Sequence, residues 1–110
     1  MRVSIVSPVN VSGGKGNQSD VMEAIYGEQG IKAGFTNPKT ADGERNFQLL
    51  LKQAQLMKDD LKVDAVIAGC TEIPLVFTQD RVPMLKVLNP TQILADEVVH
   101  VTLVARVLPN

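Results

Sequence analysis

Apolar and polar positions alternate at the N-terminus: Val3 and Ile5 face one way, Arg2 and Ser4 the other, and Val6 follows. This pattern predicts a short strand over Arg2–Ser7 that ends at Pro8. Asn10 to Asn17 holds Gly13, Gly14 and Gly16 and reads as a loop. Ser19-Asp20 then opens a helix, with Asp20 and Glu23 at the spacing of a capping box. Met22, Ile25 and Tyr26 form its apolar stripe, and Gly27 stops it. Gly30 to Gly43, with Pro38 inside, reads as a connection.

A longer helix is predicted over Glu44–Leu61. Phe47, Leu50, Leu51, Ala54 and Met57 or Lys58 recur at the spacing of one buried helical face. Lys62–Ala68 reads as a strand whose apolar run, Val63 and Ala65 to Ala68, suits a strand buried on both faces. It ends at Gly69-Cys70-Thr71. Met84–Leu88 is a further short strand. Asn89-Pro90 is a strong helix start, with an N-cap asparagine and proline at the first helical position. That last helix is expected over Pro90–Leu108, with Ile93, Leu94, Val98, Val101, Ala105 and Leu108 as its stripe, widened by Val104.

Strands alternating with helices predict parallel strands joined by crossovers. The fold class expected is α/β: a three-layer parallel sheet with flanking helices. Ligands in such sheets bind outside the carboxyl ends of the strands. Cys70 lies just past one of those ends, which makes it the first candidate for chemistry.

Composition narrows the field. A chain of 110 residues suits one domain, residues 1–110. It is 45% hydrophobic and 21% charged, within the globular range. Fifteen valines and only 4% aromatic residues make the core aliphatic. A net charge of -1 gives no electrostatic footprint for nucleic acid or an anionic membrane. No run approaches the ~20 apolar residues of a membrane-spanning helix. The N-terminal apolar run is too short for a secretory signal, so the cytoplasm is the default location. One cysteine and one histidine, Cys70 and His100, exclude an intrachain disulfide and argue against a zinc cluster.

The motif Gly69-Cys70-Thr71-Glu72 carries the candidate chemistry. Pro74 permits only a short helical turn after Cys70. Amides at that start would favour negative charge, either a thiolate or a bound carboxylate. Thr71 adds a hydroxyl, Glu72 a carboxylate that could orient a partner, and Gly69 room for a backbone turn and a ligand.

The segment Asp64-Ala65-Val66-Ile67-Ala68-Gly69-Cys70-Thr71-Glu72-Ile73-Pro74-Leu75-Val76 resembles the second cysteine motif of the aspartate/glutamate racemase superfamily. Val21 to Gly27 with Gly30 to Gly34, and Val82-Pro83 through Leu88 to Ala95, are similar to the stretches flanking that motif. The resemblance implies a cofactor-independent amino-acid racemase, an isomerase in which two similar α/β domains each offer one cysteine to opposite faces of the substrate Cα. It implies that Cys70 is a catalytic thiol, supported by Glu72. Thr71 would bind the α-carboxylate, and Lys32 the side-chain carboxylate of a small acidic amino acid. It also implies that the chain matches the second domain, without the first. A half-length chain would need self-association or a partner, so a homo-oligomer is expected. The alternative is a catalytically inactive remnant or a small-molecule-binding module; a third reading is a redox-sensing thiol.

Other features are weaker. Gly13-Gly14-Lys15-Gly16 fits neither a P-loop nor a dinucleotide fingerprint. Lys39 is a second basic candidate beside Lys32, with a solvated lysine the simpler reading for each. Arg45 reads as a surface residue, Asp59-Asp60 as solvated charge, and His100 as a partly buried structural residue.

Overall fold

The computed structural model describes residues 5–11 and 14–96. Three helices and a small parallel sheet make up this part. Helix α1 spans Gly14–Tyr26, α2 Ala41–Leu61, strand β1 Ala65–Ile67 and β2 Lys86–Leu88, and α3 is helical over residues 90–96. The mixed helix–strand architecture is that of a small α/β fold. The two strands run parallel, pairing Ala65 with Lys86, Val66 with Val87 and Ile67 with Leu88.

The N-terminal strand expectation is corrected as far as it is described. Residues 5–7 belong to no strand, and Pro8–Asn10 forms a 3-10 turn. The Asn10 side chain accepts the Ser7 amide at 2.8 Å and closes that turn locally. Arg2 to Ser4 lie outside the described residues.

Helix α1 begins at Gly14, six residues before Asp20, inside the segment expected to be a loop. The Asn17 side-chain amide donates to the Pro8 carbonyl at 3.3 Å, tying the first turn of α1 to the preceding 3-10 turn. Asp20 is therefore a mid-helix residue and not a cap. Its Oδ2 accepts from Gln53 of α2 at 3.2 Å and lies 3.7 Å from the Lys52 ammonium. The helix ends at Tyr26, before Gly27 as expected.

Helix α2 starts at Ala41, three residues earlier than expected. Thr40 is its N-cap and accepts the Gly43 amide at 3.2 Å. Gly43 is buried, and a Cβ there would stand 2.0 Å from the Asn37 carbonyl oxygen. A residue that reads as a connection glycine is thus a helical glycine, required by close approach. Phe47, Leu50 and Ala54 are buried, Leu51 and Met57 pack partly against the core, and Lys58 is exposed. Lys62 closes the helix in the left-handed region at φ 55°, its amide bonded to the Lys58 carbonyl.

The core joins α1 and α2 to β1 and to the connection between the strands, through Ala24, Phe47, Leu50, Val66, Phe77 and Val82. That connection contains two 3-10 turns, Ile73–Leu75 and Gln79–Arg81, where parallel strands usually have an α-helix. Gln79 fixes it by donating to the Val82 and Leu85 carbonyls at 3.0 and 2.8 Å and accepting the Val87 amide at 2.8 Å. Arg81 lies 3.6 Å from the centre of the Phe47 ring and pairs with Glu44.

The two strands are shorter than Lys62–Ala68 and Met84–Leu88, and β1 is not buried on both faces. Val66 is buried, but Ile67 is 56% exposed. Among the described residues the sheet has two strands, and Ile67 on β1 stays exposed beside α3. Ile67, Leu88, Pro90, Ile93 and Leu94 line an open apolar groove there. Asn89 caps α3 as expected, its Oδ1 accepting the Thr91 and Gln92 amides at 3.1 and 3.3 Å. The rest of the expected last helix, with Val98, His100, Val101, Val104, Ala105 and Leu108, lies outside the described residues.

Candidate functional site

Strand β1 ends at Ile67, and the chain leaves the sheet through Ala68, whose amide donates to the Leu88 carbonyl at 2.9 Å. That bond fixes the start of Gly69-Cys70-Thr71-Glu72 at the carboxyl end of the sheet. The far end is fixed by the Ile73–Leu75 turn, where the Leu75 amide donates to the Glu72 carbonyl at 3.0 Å. The motif is thus a short bridge held at both ends. Cys70 is a free, half-buried thiol within it.

Gly69 differs in detail from expectation. Its backbone is not left-handed, and a Cβ there would meet only the Ile67 carbonyl oxygen, at 4.0 Å. Its contribution is open space rather than a special turn. The expected amide-lined helix start is also reduced. The Ile73–Leu75 turn has three residues, too few aligned peptides for an appreciable dipole.

Side chains supply most of the polarity. The Thr71 hydroxyl donates to Glu72 Oε2 at 3.0 Å. That hydrogen bond is the main reason the half-buried Glu72 carboxyl titrates below the usual glutamate value of 4.5. Burial opposes the shift, while a backbone amide, a hydrogen bond from the Cys70 thiol and the Lys32 charge favour it further. Glu72 is therefore a carboxylate at neutral pH, with the Thr71 hydroxyl bonded to it.

Lys32 arrives from a different part of the chain. It sits in a 3-10 turn, Ile31–Ala33, closed by Gly34 at φ 99°. Its ammonium lies 5.2 Å from the centre of the Tyr26 ring, a cation–π distance, and near enough to Glu72 for its charge to act there. The turn is held from below by Asn46, whose amide donates to the Gln29 carbonyl at 2.8 Å and the Phe35 carbonyl at 3.0 Å. Of the four residues singled out in the sequence, Cys70, Thr71 and Glu72 are consecutive on the bridge, with Thr71 and Glu72 hydrogen-bonded, while Lys32 makes no ion pair with Glu72 and bears on it only through its charge.

Lys39 does not join them. It is exposed, with its amide donating to the Asn37 side chain at 2.9 Å. Arg45 pairs with Glu23 on the surface at 3.4 Å, and Asp59 and Asp60 are exposed. Among the described residues no three of His, Cys, Asp and Glu gather as a metal would require, and no helix is long and apolar enough to cross a membrane.

Two supporting residues escaped sequence reading. Tyr26 reads as apolar stripe but serves as the platform under Lys32. Asn46 is fully buried on the core face of α2. Its signal was available: Gly43, Asn46, Phe47, Leu50, Gln53 and Ala54 share one helical face, and a polar residue in that row needs a partner.

No protein-family model matches the chain, and no solved structure matches it.

Proposed function

We propose that this chain is the second-domain half of a cofactor-independent amino-acid racemase of the aspartate/glutamate type, in a three-layer α/β fold of which the described sheet is a part. The observation that carries the reading is the placement of Cys70, Thr71 and Glu72 on the bridge just past the carboxyl end of β1, with the Thr71–Glu72 hydrogen bond fixing the carboxylate. Its substrate is a small acidic amino acid. Lys32 receives a substrate carboxylate, and the Thr71 backbone amide receives the α-carboxylate. Glu72 accepts a hydrogen bond from the Cys70 thiol and so orients the sulfur.

Inversion at carbon needs a base on one face and an acid on the other. A Cys70 thiolate takes the Cα proton and becomes a thiol, and the electron pair left on Cα delocalises into the neighbouring carboxylate. A second thiol on the opposite face returns a proton to Cα and becomes a thiolate. These 110 residues hold a single cysteine, so the second thiol comes from outside them. A homo-oligomer in the cytoplasm meets that need with a second Cys70. The open apolar groove beside β1, at the same end of the sheet, supports self-association. Neither a nucleic acid nor a membrane is part of this reading.

A second reading rests on the same cysteine count. A chain with one thiol and no partner holds half a pocket, which binds a small acid without inverting it. The two are separated by incubating L-aspartate or L-glutamate with the protein and resolving the enantiomers. Accumulation of the D-form that disappears in Cys70→Ser supports the racemase; saturable binding with unchanged optical purity supports the binding module.

A further inference from the structure

Of the apolar stripe expected on α1, Ile25 is buried, but Tyr26, the last residue of the helix, is 55% exposed. Burial in the core therefore does not account for its ring. The chain reverses directly after it. The Gly30 amide donates to the Gly27 carbonyl at 2.9 Å, and the Gly30 carbonyl accepts the Ala33 and Phe35 amides at 3.1 and 3.3 Å. This reversal brings Lys32 back over the helix end, with its ammonium 5.2 Å from the centre of the Tyr26 ring.

The backbone on both sides of this contact is held by hydrogen bonds, so the free variable is the lysine side chain. A lysine stem has many rotamers, and ordering it costs entropy. An aromatic face attracts the ammonium through its quadrupole and favours the rotamers that lie over the ring. A carboxylate would hold the ammonium too, but would also neutralise it. Lys32 forms no ion pair among the described residues. The ring thus places a cation without cancelling its charge, and that charge reaches Glu72 on the motif bridge.

We propose that Tyr26 is a positioning residue for recognition of an acidic side chain: its ring sets the Lys32 ammonium, and Lys32 meets the carboxylate. The proposal rests on the reading of Lys32 as the group that receives a substrate carboxylate, and adds to it a residue that touches no substrate. Tyr26 thereby contributes to the choice between acidic and neutral amino acids. The ring supplies the effect, and the phenolic hydroxyl is not needed for it.

The test is an NMR titration of the full chain with L-aspartate and, separately, with L-asparagine, which has the same shape and no side-chain charge. Tyr26→Leu weakens L-aspartate binding roughly two- to fivefold, the range of a cation–π contact at an exposed site. It leaves L-asparagine binding where it was, and Tyr26→Phe restores the L-aspartate affinity. In a Lys32→Met background, Tyr26→Leu has no further effect on L-aspartate. Without any variant, the Lys32 Cε protons of the unaltered chain are shifted upfield by the ring, so a variant that fails to fold does not blunt the test. The proposal is overturned by an absent ring shift, by no saturable L-aspartate binding, by equal weakening of both ligands in Tyr26→Leu, or by no weakening of either. Racemisation is read on the same samples by deuterium exchange at Cα. Exchange without the contrast between aspartate and asparagine removes the role of Tyr26 and leaves the racemase reading standing; the contrast without exchange does the reverse.

Discussion

The Thr71 hydroxyl and the Glu72 carboxylate, adjacent in sequence, are joined by a 3.0 Å hydrogen bond that turns both side chains to the same side of the bridge beyond β1. The bond favours the ionised form of Glu72. Removing it by Thr71→Val raises the Glu72 pKa toward 4.5. The check is the Glu72 side-chain carbonyl shift followed by NMR through acid titration; an unmoved midpoint would show that Thr71 does not set it.

The same hydrogen bonds give a pH dependence whose sign is fixed. Glu72 and Glu44 both titrate below 4.5 in the folded chain, Glu44 through hydrogen bonds from Gln48 and Arg81. A carboxyl with a depressed folded pKa contributes stability above its unfolded value and loses it as pH falls through the folded one. Urea midpoints are therefore constant from neutrality to about pH 5 and fall below 4.5. Glu44→Gln flattens part of that fall. Both groups reach solvent, so the contribution is small and screened by salt.

Asn46 is the hinge pin of the Lys32 turn. It has no exposed surface, and its two amide hydrogens bond the Gln29 and Phe35 carbonyls. Asn46→Ala leaves both carbonyls unmatched and costs about 2–4 kcal/mol in urea unfolding. In the surviving folded population the Ile31 to Phe35 amides exchange faster with solvent. Unchanged exchange there would mean that the turn is held by other contacts.

Gly43 reverses an ordinary rule. Alanine in a helix interior usually gains about 1 kcal/mol over glycine. At Gly43 the added methyl would meet the Asn37 carbonyl oxygen at 2.0 Å, a backbone atom that cannot swing aside. Gly43→Ala destabilises by about 1–3 kcal/mol, an overpacking cost, measured by thermal or urea unfolding. A gain in stability would place the Asn37 loop farther from α2.

Much of this arrangement was legible because local chemistry decides it. The Asn89 cap, the apolar face of α2 and the two strands each follow from a few adjacent residues acting on their own backbone. The short turn after Cys70 follows from Pro74 alone. What escaped was set by distant partners. Gly14, Lys15 and Gly16 look like loop because glycine is a poor helix former, yet Asn17 reaches back to Pro8 and Asp20 across to Gln53. Gly43 looks like a breaker, yet the approach of Asn37 demands it. Ile67 looks like the interior of a central strand, yet the described sheet leaves it open. Lys32 was named among the site residues by resemblance, but its route there, over Tyr26 and above Asn46, needed the folded chain.

The central claim is that Cys70 exchanges a proton with the substrate Cα in an assembly that supplies a second thiol. The direct measurement is deuterium incorporation at Cα of L- and D-aspartate and L- and D-glutamate in D₂O, by NMR or mass spectrometry. The sample is one whose oligomeric state has been fixed by light scattering. The result expected is Cα exchange by the oligomer that falls at least 100-fold in Cys70→Ser, in the lower part of the range for losing a general acid–base group. Absence of exchange by a verified oligomer with all four substrates, or exchange that survives Cys70→Ser, would contradict it.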